Sequence, residues 1–412
     1  MKQTNEEAIT LIALVITIII LIILAGVGIQ TTIGEDGIIT KTKQARQNIL
    51  IAQEEEAKML NALYDTLENG EDKYKPKTVE EWRNQGIYAT ENTILIDKRH
   101  NQVVIPDGFK VSMESDIYVA NGVVIEDIDG NQFVWVPVGE FLKADGTKES
   151  ITLGRYTFDT GIWDETQKKY TGTGKETLIQ SAEQFEEETG IENNYGIYKE
   201  LVQSRISNEL ETLEGTNTTA RNLSGFVKSV KINGGYYIGR YESSYRDGIV
   251  PYVKKSLSAS IEAEKKEGEI WNYTTQTKAA RACRDMYHKT SFETDLVNSY
   301  AYDTAIVFIQ KCSNDKSYSI KDSFNDSLKN TGREDESKDE KCKINDLASN
   351  LYEWTTEYCT RIEDDVACPG TCRGGRYYNH NGLFYTSVRE SIGSTSLEKS
   401  AGTSFRPILY TL

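Results

Sequence analysis

Histidine and proline are scarce in this chain, at 3 and 6 residues among 412. So little proline excludes a Pro-rich stalk. His100, His288 and His380 stand too far apart for a paired ligand motif, and a lone histidine is more often a surface or hydrogen-bonded residue than a catalyst. Basic charge is also short: 47 Lys and Arg face 63 Asp and Glu, a formal net charge of -16. That balance argues against a nucleic-acid partner, whose phosphates need clustered cations. The six cysteines, at 283, 312, 342, 359, 368 and 372, fit no zinc spacing. Disulfides among Cys359, Cys368 and Cys372, packed thiols, and a metal site stay open alternatives, and Cys283 falls on the buried stripe of a helix.

Long apolar runs are confined to one place. Ile9 to Ile29 is apolar except for Thr10 and Thr17, and at about 1.5 Å per residue it spans a hydrocarbon core of about 30 Å. A membrane helix follows. Lys2 stands nearly alone beside Glu6 and Glu7, unlike the basic start of a cleaved secretory signal. Beyond Gly34 to Gly37, Ala45, Ile49, Ala52, Leu60, Leu63 and Leu67 recur at helical spacing, and Asn69-Gly70 ends the pattern. The spacing predicts a helical stem to residue 69, a linker over 70–102 and a head over 103–412.

Within the linker, Thr78-Val79-Glu80-Glu81 has capping-box spacing and predicts a short helix. Ile94 to Ile96, Val103 to Ile105, Val123 to Ile125 and Phe133 to Val138 read as strands bounded by turn residues. Residues 143–220 are rich in Thr, Glu and Gly with weak periodicity, which suggests a partly helical surface insertion; Glu186 to Glu188 there suits a solvated face. Arg221 to Val230, Thr274 to Met286 and Ala301 to Lys311 read as helices, Tyr236 to Tyr241 as a strand, and Asp322 to Glu340 as a charged loop.

The last seventy or so residues organise the rest. Gly374-Gly375 marks close backbone approach. Between that pair and Phe405 runs a polar, aromatic tract that includes Arg376, Tyr377, Tyr378, Asn379, His380, Asn381, Tyr385, Ser387, Arg389 and Glu390. Tyr offers large contact area at low entropy cost, and Ser and Asn offer adaptable hydrogen bonds, so the tract reads as a ligand-binding surface.

Asn350 to Trp354, Arg373 to Gly375 and Phe405-Arg406 match, in order, the Asn-x-x-Glu-Trp, Arg-Gly-Gly and Phe-Arg segments of the formylglycine-generating enzyme, or sulfatase-modifying factor, family. Phe133 to Phe141 and Gly235 to Glu242 resemble its upstream landmarks. The resemblance covers roughly two thirds of the chain and implies an α+β, loop-rich head of the C-type lectin-like type. The family's two copper-binding cysteines fall at Asn379 and Phe384, so its oxidase chemistry has no thiolate here. The iron-binding His-x3-His-x-Glu pattern of the related sulfoxide synthases is missing too. Family members hold structural calcium near the Asn-x-x-Glu-Trp segment, which implies Asn350, Glu353 and the Leu351 carbonyl as ligands; the alternative is that Glu353 pairs with an Arg and Trp354 is core.

Ala8 to Leu14 resembles the signal of type IV prepilins, implying cleavage between Ala8 and Ile9, although Ala8 and Ala13 replace that family's usual Gly and Glu. The C-terminal tract resembles the variable segment of diversity-generating retroelement targets. These resemblances lead us to expect a membrane-anchored or pilus-associated cell-surface protein. Its catalytically inactive head would bind a protein or glycan ligand. A metal-dependent modifying enzyme and a structural minor pilin that meets other pilin subunits are the alternatives.

Overall fold

The computed structural model describes residues 77–167, 169–179, 223–321, 327–335, 338–358, 362–363, 366–367, 370–377, 385–391 and 400–412. The membrane run, the stem, the Ala8–Ile9 cleavage point, Glu186 to Glu188, Cys359 and Cys368 lie outside them. Among the described residues no helix is long and apolar enough to cross a membrane.

The fold is α+β, with more strands than helices. Among the described residues the α-helices are α1 (Val79–Gln85), α2 (Leu223–Asn233), α3 (Gln276–Arg284) and α4 (Ser299–Cys312). Ten strands build two sheets: β1 (Lys110–Val111), β2 (Val124–Glu126), β3 (Gln132–Pro137), β4 (Gly235–Gly239), β5 (Phe292–Leu296), β6 (Tyr352–Tyr358), β7 (Gly370–Arg373), β8 (Arg389–Ser391), β9 (Thr403–Phe405) and β10 (Pro407–Thr411). The larger sheet is antiparallel and runs β5-β10-β4-β3-β2-β1. The smaller runs β8-β7-β6-β9, with β6 and β9 parallel.

Strand periodicity explains why the larger sheet is covered on both sides. Val134 and Val136 of β3, Tyr236 and Ile238 of β4, and Ile408 and Tyr410 of β10 join one core with Phe226 of α2 and Ala301, Ala305 and Phe308 of α4. Their neighbours Phe133, Trp135, Tyr237 and Leu409 join a second core with Val79, Trp82, Leu95 and Val103 to Ile105. A third core joins α3 to the smaller sheet through Ala279, Ala282, Cys283, Trp354, Cys372 and Phe405. Gly235 is required on the face toward the second core: a Cβ there would run into the Trp135 ring and the Val136 carbonyl.

The capping box forms as its spacing predicts, with Glu81 N donating to Thr78 Oγ1 at 3.1 Å and Thr78 N to Glu81 Oε2 at 3.2 Å. Its helix, however, does not belong to a linker. Val79, Trp82, Ala89 and Leu95 are buried in the second core, so residues 77–102 are part of the head and the boundary expected at 103 moves upstream.

The expected partly helical insertion is also corrected over its described part. Gly139–Leu142 pairs with Lys148–Ile151, Tyr156–Phe158 with Glu176–Leu178, and Trp163–Asp164 with Lys169–Tyr170. β-Branched and aromatic residues suit these ribbons, and Ile151 and Tyr156 reach the first core, so this stretch is no mere surface appendage. Residues 180–222 lie outside the described residues.

Candidate functional site

The polar tract leaves the smaller sheet at β7 and re-enters it at β8, and the two strands bring Arg373 opposite Arg389. Two cations so placed repel one another unless anions lie between them. Asp303, presented by the buried α4, and Glu357, presented by β6, supply those anions. Arg373 donates to Glu357 Oε2 at 2.8 Å and to Asp303 Oδ1; Arg389 donates to Glu357 Oε1 at 3.0 Å and to Asp303 Oδ2. Each carboxylate is thus shared by both guanidinium groups.

Further bonds fix this ring. Asp303 Oδ2 accepts from Tyr156 N at 2.8 Å, and the Val388 carbonyl accepts from Arg373 Nε at 2.8 Å. The Arg373 guanidinium also lies 4.6 Å from the Tyr302 ring centroid. Burial works against the Arg373 charge, but Asp303 and Glu357 outweigh it and hold its pKa above the ordinary value. Beside the ring, burial lowers Arg155.

At the exit, Gly375 lies against the Ala348 carbonyl with no room for a Cβ, the close approach that the glycine pair implies. Arg376 and Tyr377 follow, both half-buried. The Arg376 guanidinium sits 5.4 Å from the Tyr352 ring centroid, and Tyr377 N donates to the Asn350 carbonyl at 2.9 Å. Tyr378, Asn379, His380, Asn381 and Phe384 lie outside the described residues. On the return, Tyr385 and Glu390 are half-buried, but Thr386 and Ser387 are buried. Thr386 Oγ1 donates to the Tyr318 carbonyl at 2.6 Å, and Ser387 N to the Ser319 carbonyl at 2.9 Å.

Two expected surface residues are therefore corrected. Ser387 is 6% exposed, and the Arg389 side chain is 7% exposed within its ion pairs. Ser387 is tied through its backbone, and Arg389 through its side chain, to buried scaffold partners.

An aromatic ladder that the sequence did not single out meets the tract. Trp163 and Tyr170, on opposite strands of one ribbon, stand edge to face with centroids 5.2 Å apart, and Tyr170 meets Tyr385 in the same way at 4.8 Å. All three rings are half-buried. Polar residues, Asp164 to Lys169, separate Trp163 from Tyr170, a local pattern consistent with a hairpin.

The Asn-x-x-Glu-Trp segment is internal. Asn350 is in the left-handed region at φ 69, and its amide donates to Glu242 Oε2 at 2.5 Å while its Oδ1 accepts from Lys329 N at 2.9 Å. Leu351 N donates to Glu242 Oε1 at 3.0 Å. Both Glu353 oxygens accept from Arg406 Nε, at 2.9 and 3.0 Å. Trp354 is core, its Nε1 bonded to the Thr274 carbonyl at 2.9 Å. Glu353 thus takes the arginine-paired alternative, and Asn350 spends its side chain on Glu242 and the backbone. Among the described residues no group of three or more His, Cys, Asp or Glu converges as a metal cage.

Burial raises the Glu242 pKa well above the ordinary value, and the nearby Asp346 and Glu353 carboxylates push the same way. His100 and His288 are exposed and separate from the tract. Cys283 and Cys372 are buried in the third core.

No family model matches the chain, and no curated protein or solved structure does either.

Proposed function

We propose that this chain is a surface-displayed binding or adhesion protein. Residues 9–29 anchor it in a membrane or carry it into a pilus, and a head of the C-type lectin-like, sulfatase-modifying factor type presents a ligand-binding face. That head is non-enzymatic, because an amide and a benzyl ring stand at Asn379 and Phe384 where the resembled oxidases carry thiols.

One observation carries the binding reading: the two ends of the tract, Arg373 and Arg389, are locked into the same pair of buried carboxylates. A loop whose ends are fixed by the scaffold can take varied side chains without taking part in the core, which is how rigid frames display recognition loops. Arg376, Tyr377 and Tyr385 then supply adaptable contact area next to the frame. The ligand is a protein or a glycan.

The test is a glycan and protein array probed with the full-length chain and with its Tyr377→Ala, Tyr378→Ala and Tyr385→Ala forms. Capture that disappears in the variants while Tm holds supports the reading. Capture unaffected by all three, or turnover of a thiol peptide with bound copper, refutes it.

A further inference from the structure

The four described cysteines fall into two groups. Cys283 and Cys372 are buried in the third core, whereas Cys312 and Cys342 are half-buried and both rest on the first. Cys312 is the last residue of α4. Cys342 begins the two-residue turn that joins Glu340–Lys341 to Ile344–Asn345, with Cys342 at φ 47 and Lys343 at φ 66.

Two contacts place the Cys342 turn beside α4. Asp315, just beyond α4, meets Lys341 at 4.0 Å, next to Cys342. The helix also packs on the short turn Val119–Asn121, and the Cys342 carbonyl covers the Gly122 that ends that turn.

We propose that Cys312 and Cys342 form a disulfide when a small-molecule disulfide oxidant is supplied, tying the end of α4 to the turn after Lys341. In the first step the Cys312 thiolate attacks glutathione disulfide, forming a mixed disulfide and releasing one glutathione thiolate. Cys342 then attacks the Cys312 sulfur and releases the second. The cysteine pair loses two electrons and two protons, and glutathione disulfide becomes two glutathione molecules.

Burial sets the pace. It pushes the Cys312 thiol up to about 12 and Cys342 well above its ordinary value, with Cys312 the next influence on Cys342. Lys316 favours the thiolate at both sites. Both thiols stay largely protonated, so the reaction is slow. The remaining pair is a control: Cys283 is raised well above its ordinary value by burial and lies fully inside, so it stays reduced.

The test incubates the full-length chain with glutathione disulfide, then unfolds it in excess alkylating agent and maps peptides by mass spectrometry without reduction. The expected result is a Cys312–Cys342 crosslinked peptide lighter by two hydrogens, two alkylatable thiols lost, and a Tm above that of the reduced protein. Cys312→Ser and Cys342→Ser should each abolish both the crosslink and the shift, with near-UV circular dichroism reporting that they fold. Full alkylation of both cysteines after oxidation, or a bridge from either to a different cysteine, overturns the proposal.

Discussion

Arg373 and Arg389 face each other on adjacent antiparallel strands and divide the oxygens of Asp303 and Glu357 between them. Removing one guanidinium leaves two carboxylates sharing a single cation in the interior. Arg389→Met should therefore cost about 3–5 kcal/mol of unfolding free energy, the penalty typical of a broken buried pair. Urea denaturation measures it, and a loss below about 1 kcal/mol contradicts the shared-anchor geometry.

The half-buried residues just inside that anchor should behave differently. Tyr377→Ala touches the frame through its backbone N–H, which the substitution retains. Its effect on stability should stay within about 1 kcal/mol, while a ligand-binding readout drops.

Gly375 offers a steric prediction. A Cβ on it would overlap the Ala348 carbonyl, which is backbone and cannot swing aside. Gly375→Ala should destabilise by about 1–3 kcal/mol or more, read as a lowered Tm.

Tyr170 and Tyr385 connect the Trp163–Tyr170 ribbon to the returning tract at a centroid distance of 4.8 Å. A double-mutant cycle with Tyr170→Leu and Tyr385→Leu should return a coupling energy of about 0.5–1.5 kcal/mol. A coupling of zero separates the ribbon from the tract.

Glu242 sets a pH dependence. Its folded pKa is raised above the ordinary 4.5 by burial first and by Asp346 and Glu353 next. The folded protein therefore holds this proton more tightly than the unfolded chain. The resulting stabilisation is fully present below the unfolded pKa and is lost as pH rises through the folded one. Relative to Glu242→Gln, whose side chain does not titrate, the wild type should lose stability as pH rises above the ordinary 4.5. Urea midpoints below and above that value check the sign, and parallel midpoints for the two proteins refute it.

Local signals in the sequence translated well. The Thr78 box, the strand over Phe133 to Val138 and the start of α4 near Ala301 depend on neighbours within a few residues, and each formed close to its expected place. The tract was harder to divide. Ser387 and Arg389 carry surface chemistry, but their partners lie far along the chain, Asp303 being 86 residues from Arg389. Nothing local distinguishes an exposed arginine from one neutralised by a distant helix. The same applies to Glu353, whose partner Arg406 is 53 residues away. Residues 143–179 failed for another reason: short ribbons of two to four residues are too brief for a periodic signal to emerge.

The strand β10 lies between β4 and the edge strand β5, in a layer whose other members are made earlier. During synthesis, the layer stays split until Pro407 to Thr411 arrive, and a product stopped short of them exposes two raw edges to proteases. A chain lacking Pro407 to Thr411 thus loses the strand that ties β5 to β4.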